Sequence, residues 1–140
     1  MKGSREARPP TADALLLDTN TLLWWLAEPE RLSATAHAVI ADPQASIAVS
    51  AASGWEIATK VRLGKLPAAQ ELTQDLPSLL AEQGFDILPV KLPHGLHAGA
   101  YAIAHRDPFD RLLAAQAELE GLTLVSLDPA LRAFPCRLLW

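Results

Sequence analysis

Short runs of apolar residues, separated by longer stretches with helical periodicity, constrain the fold of this chain more than any other feature. The predicted strands are ALLLD (14–18), ASIAVS (45–50), FDILPV (85–90), LTLVSLD (122–128) and CRLLW (136–140). Most of them are apolar throughout rather than at alternate positions, as expected for strands covered on both faces. Strands that alternate with helices in this way predict a three-layer α/β domain around a mainly parallel central sheet.

Six stretches between and beside these runs have helical patterns with recognisable end signals. The predicted helices cover 21–30, 33–42, 51–64, 67–84, 93–105 and 108–121. Ser33 is placed to cap the second helix, and Gly64 is placed to end the third. Pro77 is expected to break the fourth. The connections are long enough for right-handed crossovers between parallel strands.

The composition predicts one folded domain at 14–140, preceded by a flexible N-terminal arm at 1–13. Half of the 140 residues are apolar, which is enough to form a sizeable core. The single cysteine, Cys136, excludes an internal disulfide and a cysteine-based zinc cluster, and favours a reducing compartment. No apolar run is as long as a membrane span or a signal peptide core. We therefore expect a cytoplasmic protein without membrane contact.

The formal net charge of −4 argues against nucleic-acid binding by overall positive charge. A nucleic-acid partner would need a local basic patch, or metal ions held by acidic residues. An acidic protein is equally suited to a basic protein partner.

Two predicted strands are followed by an aspartate at the mouth of the next helix or turn. Asp18 follows the first strand in LLLDTNT, and Asp128 follows the fourth in LVSLDPAL. Either aspartate could serve only as a helix cap. Ligands of open α/β sheets, however, bind outside the carboxyl ends of the strands, so both aspartates are also candidates for chemistry.

Three more acids lie in helical patterns. Glu56 lies in the middle of SGWEIATK, where a solvent-facing side chain is the alternative interpretation. Asp107 is expected to cap the helix that begins with Pro108, and this role accounts for it fully. Asp110, one turn further, is only partly explained as a capping residue.

These carboxylates are expected to meet at one edge of the sheet. Clustered carboxylates raise one another's pKa unless a cation lies among them. A set of oxygen ligands without His or Cys suits Mg²⁺ or Mn²⁺. Such a site is suited to metal-assisted hydrolysis of phosphodiesters.

Four segments in this order resemble the PIN-domain ribonucleases, and specifically the VapC-like toxins of type II toxin–antitoxin pairs. The segments are LLLDTNTLLWWL (15–26), SGWEIATKVRLGKL (53–66), HRDPFDRLLAAQA (105–117) and LTLVSLDPAL (122–131). The resemblance extends from about residue 14 to the end. It implies a compact α/β/α PIN-like fold and a Mg²⁺-dependent endoribonuclease activity.

The resemblance also implies roles for individual residues. The four acids of the family correspond to Asp18, Glu56, Asp110 and Asp128. Asp18, Asp110 and Asp128 would hold the metal, and Glu56 would bind a second metal or orient the attacking water. Asn20 corresponds to the polar residue two positions after the first acid, Ser126 corresponds to the hydroxyl residue two positions before the last, and Asp107 could contribute from outside the metal site. The resemblance further implies an RNA substrate, a homodimer and an antitoxin that blocks the acidic site.

Several other side chains are candidates for lesser roles. Basic residues near the acids could contact RNA phosphates, and Arg111, next to Asp110, is the strongest of them; the others are Lys60, Arg62, Lys65 and Arg106. Trp24 and Trp25 are expected in the core and in partner contacts. The histidines of the predicted helix at 93–105 are expected to be structural or exposed.

Two alternatives compete with this function. One is a catalytically inactive PIN-like interaction module, although all four acids are present. The other is a haloacid-dehalogenase-like phosphatase, suggested by DTNT after a strand. In that case Asn20 replaces the aspartate that would act as the general acid, and the later paired-aspartate motif is absent.

Overall fold

The computed structural model describes residues 14–66 and 70–140 and is built around a five-stranded sheet. The strands are β1 (Ala14–Leu17), β2 (Ser46–Ser50), β3 (Asp86–Leu88), β4 (Thr123–Val125) and β5 (Arg137–Leu139). Their spatial order is β3-β2-β1-β4-β5, and every neighbouring pair is parallel. All five predicted strands are therefore confirmed. The predicted arm, residues 1–13, lies outside the described residues.

Six α-helices connect the strands. They are α1 (Thr19–Ala27), α2 (Ala34–Ala41), α3 (Ala51–Arg62), α4 (Gln70–Gln83), α5 (Leu92–Ala100) and α6 (Pro108–Glu120), with 3₁₀ helices at Pro29–Arg31 and Pro129–Ala133. Ser33 caps α2 as predicted, and Gly121 ends α6 in the left-handed conformation. Within the part of the chain that the structure describes, no helix has the length and apolar character needed to cross a membrane.

The two faces of the sheet bury separate apolar clusters, and together they make the fold three-layered. Leu15 and Leu17 of β1 belong to one cluster, which includes residues of the first four helices. Leu16 belongs to the other, with residues of α6 such as Leu113. Because neighbouring side chains of a strand point to opposite faces, β1 must be apolar at each of these positions.

Two predicted helix features are wrong. Pro77 lies inside α4, which continues through it. Leu76 and Leu80 on either side pack in the core, and this packing holds the helix together although Pro77 removes one backbone donor. The helix predicted for 93–105 ends at Ala100, so His105 lies in the connection to α6.

The strand order changes direction at the centre of the sheet. The chain proceeds from β1 outward through β2 to β3, and then returns to β4 on the opposite side of β1. The carboxyl ends of β1 and β4 therefore lie at a topological switch point, where helices diverge to opposite faces and leave a crevice. Asp18 and Asp128 follow these two strands.

Candidate active site

Asp18 is buried at the end of β1, with 9% of the residue's surface exposed. Its carboxylate caps α1 by accepting a hydrogen bond of 2.7 Å from the backbone N–H of Thr21. Burial raises the pKa of Asp18, and the negative charge of Glu56 adds to this rise, whereas hydrogen bonds with Ser126 and Thr21 oppose it. Asp18 therefore caps the helix as predicted, but burial makes the ionised form of its carboxylate unfavourable.

Glu56 is also buried, with 7% of its surface exposed. The hydroxyl of Thr19 donates a hydrogen bond to one carboxylate oxygen, and Nζ of Lys60 lies 3.0 Å from the other. The Thr19 hydroxyl also lies 3.0 Å from that of Ser53. The solvent-facing interpretation of Glu56 is wrong, because this face of α3 packs against the start of α1.

Asp107 and Asp110 have different surroundings at the start of α6. Asp107 is exposed and caps the helix, accepting hydrogen bonds of 2.9 Å from Phe109 N–H and 3.3 Å from Asp110 N–H. Asp110 is partly buried, and its Oδ2 atom lies 2.8 Å from Nε2 of His105. The capping role predicted for Asp107 is confirmed, and Asp110 is free of that role.

Burial raises the pKa of Asp110 to about 6. The negative charges of Asp107 and Asp128 contribute to this rise, and His105 acts against it. Asp110 therefore lies within electrostatic reach of Asp128, just as Asp18 lies within reach of Glu56.

Asp128 caps the 3₁₀ helix after β4 through a hydrogen bond of 2.9 Å from Ala130 N–H. Its own backbone N–H donates to the Ser126 hydroxyl at 3.1 Å, and Ser126 in turn bonds to Asp18. Asp128 also lines one cavity together with Asp18 and Asn20. The ends of β1 and β4 are thus joined by hydrogen bonds at the switch point.

Asp18, Glu56, Asp110 and Asp128 come together at one edge of the sheet, which we call the acidic edge, but not as a tight cluster. Across residues 14–66 and 70–140, no three His, Cys, Asp or Glu side chains are grouped closely enough to hold a metal ion as they stand. The chemistry of the donors nevertheless fits Mg²⁺, because all are oxygens, and Asp18 and Asp110 both have raised pKa values. Mg²⁺ in proteins is commonly held by only one or two carboxylates and keeps several waters.

Arg111 is occupied within the fold, contrary to the expected contact with substrate. Its guanidinium donates hydrogen bonds to five backbone carbonyls, those of Ala98, Gly99, Tyr101, Ile103 and His105, at 2.7–3.5 Å. These bonds hold the connection between α5 and α6 in place. Because its donors are used there, the structure favours a structural role for Arg111.

Three histidines, His94, His97 and His105, lie in or just after α5 and have different partners. His94 and His97 of α5 pair with Glu120 and Glu118 of α6 at 2.8 Å and 2.7 Å. This agrees with the structural role expected for them. His105 differs, since its ring contacts Asp110.

The sequence patterns do not predict the contacts that Thr19 and His105 make with the candidate acids. Thr19 directly follows Asp18, which was a usable signal. His105 lies five residues before Asp110 in an irregular segment, where no periodicity connects the two positions.

The raised pKa of Asp110 predicts a pH-dependent effect on stability. The folded protein holds this proton more tightly than the unfolded chain, so the cost of ionising Asp110 appears as the pH rises from about 4 to about 6. In chelating buffer, Asp110→Asn should stabilise the protein by about 2 kcal/mol at pH 7.5. Thermal unfolding of both proteins checks this, and the difference should vanish near pH 4. An advantage that persists unchanged at pH 4 would contradict the assigned cause.

Comparison with known proteins assigns this chain to a family. The PIN domain family model matches residues 15–135. The chain belongs to the PIN-domain family. The matched range contains all four acids, and this membership separates the chain from the haloacid-dehalogenase-like phosphatases.

Two ribonucleases of Mycobacterium tuberculosis are similar in sequence. Ribonuclease VapC22 is 32% identical over 122 residues, which cover 85% of this chain and 90% of that protein. Ribonuclease VapC16 is 39% identical over 64 residues, which cover 46% of this chain and 45% of that protein.

Solved structures share the PIN fold at lower identity. VapBC2 from Rickettsia felis, bound to a promoter DNA fragment, matches with a TM-score of 0.65 at 18% identity over 90% of this chain and 97% of that chain. A toxin–antitoxin complex from Klebsiella pneumoniae matches with a TM-score of 0.62 at 18% identity over 90% and 96%. These likenesses concern the fold, and they agree with the parallel sheet predicted from the sequence.

Proposed function

We propose that this PIN-domain protein is a Mg²⁺-dependent endoribonuclease and the toxin of a toxin–antitoxin pair, active in the cytoplasm. The supporting observation is that carboxylates from four separate elements meet at the switch point of the sheet. They do so in a chain similar to ribonuclease VapC22 along most of both proteins. An inactive interaction module would have no need for buried carboxylates with raised pKa values.

Asp18, Asp110 and Asp128 are the proposed metal ligands, with Glu56 as a further ligand or as the group that orients water. When bound, Mg²⁺ (or Mn²⁺) supplies Lewis-acid polarisation of the phosphate and makes a coordinated water more acidic. Ser126 links Asp18 to the backbone at Asp128.

Hydrogen bonds within the fold pre-orient the carboxylates for this role. Thr19 and Lys60 fix the two oxygens of Glu56, and His105 fixes one oxygen of Asp110. Partners of this kind are usual around metal-binding carboxylates and hold them in a productive orientation. Asn20 lies in the same cavity as Asp18 and Asp128, where its amide could hydrogen-bond to substrate or water.

We infer two protein partners as well. The solved structures that share the fold include complexes with antitoxins, which supports an inhibitory antitoxin for this chain. The family resemblance supports a homodimer. Large apolar side chains exposed along β3 and α5, among them Ile87, Leu92 and Leu96, are available for protein contacts.

The direct test is cleavage of RNA by the purified protein. With Mg²⁺ the protein should cut single-stranded RNA internally, and excess EDTA should abolish cutting until Mg²⁺ is restored. Gel analysis of end-labelled RNA measures both, with a matched DNA strand as the control for substrate class. An absence of cleavage on total cellular RNA in the presence of Mg²⁺ or Mn²⁺ would instead favour the inactive interaction module.

A further inference from the structure

A groove runs beside the acidic edge, between the end of α3 and the start of α6. The residues that matter for its chemistry are Thr59, Lys60, Leu63, Lys65, Arg106 and Phe109, with the buried Glu56 also in its lining. Its volume of about 380 Å³ falls in the usual range of small-molecule sites, roughly 300–1,000 Å³. The groove is therefore large enough for a nucleoside and opens onto one of the candidate catalytic carboxylates.

An unusually exposed tryptophan stands next to this groove. Trp55 is 63% exposed, and its ring packs edge-to-face against Phe109 with centroids 4.9 Å apart. Leu63, the C-cap residue of α3, lines the groove and is 53% exposed. Phe109 thus steadies the tryptophan ring, while most of its surface remains accessible to a ligand.

Positive charges surround this apolar surface. Lys60 is paired with Glu56, whereas Lys65 and Arg106 are exposed, and no carboxylate of the described residues pairs with either. Asp107, the other acid of the groove, caps α6. Two unpaired cations next to an exposed aromatic ring are the combination used by proteins that bind single-stranded nucleic acid.

We propose that this groove binds single-stranded RNA, with one base stacked on Trp55 and the flanking phosphates contacted by Lys65 and Arg106. Occupancy of the groove would bring the RNA backbone next to Glu56. This inference rests on the proposed function and specifies the form of its substrate. A base inside a duplex has both faces covered, so the site discriminates against double-stranded RNA.

Binding can be separated from cleavage by working in the Asp110→Asn background with Mg²⁺ present. The probe is a fluorescein-labelled, mixed-sequence RNA of about 12 nucleotides, measured by anisotropy as a single strand and as a duplex. Trp55→Ala should raise the single-strand Kd by about fivefold or more, whereas Trp55→Phe, which keeps a stacking surface, should restore most of the affinity. Duplex binding should be weaker and insensitive to Trp55.

Salt dependence tests the cations independently. Replacing both Lys65 and Arg106 by Gln should reduce the slope of log K against log salt by about 1.4, since each phosphate contact on a single strand contributes about 0.7. Arg62→Gln is the matched control, because Arg62 is an exposed cation at the end of α3 that does not line the groove. It should leave the slope unchanged.

The possible outcomes separate this inference from the proposed function. If the wild type cuts RNA but the Trp55 and cation variants bind RNA like their parent, the groove is not the RNA site and the proposed function stands. If these variants instead lose only the co-expressed antitoxin, the groove is a protein contact and the inference is overturned. If they weaken RNA binding although the wild type cuts no RNA, the groove assignment stands without the nuclease.

Discussion

Asp110→Asn is expected to reduce RNA cleavage by about 100-fold or more while leaving the protein folded. The substitution keeps the shape of the side chain and the acceptor that faces His105, but it removes a negative charge from the acidic edge. Loss of negative charge at a proposed metal ligand should slow metal-assisted hydrolysis without unfolding the protein. Single-turnover cleavage at saturating Mg²⁺ measures the effect.

Two isosteric variants serve as controls for Asp110→Asn. Asp75→Asn removes the same charge from an exposed position on α4 and should leave cleavage at the wild-type level. Asp107→Asn should cost less than about tenfold, because asparagine caps a helix as well as aspartate does. Cleavage by Asp110→Asn at the wild-type rate would remove Asp110 from the proposed site, and equal losses at both positions would remove the distinction between them.

Of these variants, Arg111→Met should lose the most stability, about 3–5 kcal/mol in the free energy of unfolding. The guanidinium is bonded to five backbone carbonyls between Ala98 and His105. Methionine fills similar space and leaves these acceptors without their donor. Arg111→Lys should recover only part of the loss. The single ammonium nitrogen of lysine has three donors, so it cannot replace the planar guanidinium that bonds to five carbonyls. Urea denaturation, monitored by circular dichroism, measures the free energy of unfolding of the wild type and of both variants.

The same variant also tests how the connection between α5 and α6 supports the candidate site. The connection held by Arg111 includes His105, the partner of Asp110, so cleavage should fall even at temperatures where the variant remains folded. Arg62→Met, on the exposed side of α3, controls for loss of a surface guanidinium. A destabilisation below about 1 kcal/mol would show that water replaces the missing donors.

The local features of the fold could be predicted because they depend on neighbours in sequence. The apolar positions of β1 follow from the two faces of the strand. The caps at Ser33 and Asp107 depend on residues two or three positions away. The break predicted at Pro77 is wrong because it depends on more than local sequence. The local cost of the proline is offset by the packing of Leu76 and Leu80 on the core.

The roles of Glu56 and Arg111 could not be obtained from local sequence. Glu56 on α3 is buried because the start of α1, 37 residues away, presents the Thr19 hydroxyl to it. Arg111 looked like a cation beside an acid, but its donors point back at the preceding connection. Both outcomes depend on how helices pack across the sheet, which periodicity within one helix does not specify.

The sequence by itself determined the parallel sheet and the caps, and its resemblance to PIN domains pointed to the four acids. The sheet and the caps could be predicted because they depend on apolar patterns and hydrogen bonds between residues close together in sequence. Only the tertiary structure decided which acids are buried and which side chains orient them. It also decided that Trp55 packs on Phe109 beside a groove lined by Lys65 and Arg106. The reason is that burial, the pKa of a carboxylate and the lining of a groove all depend on residues brought together from distant parts of the chain.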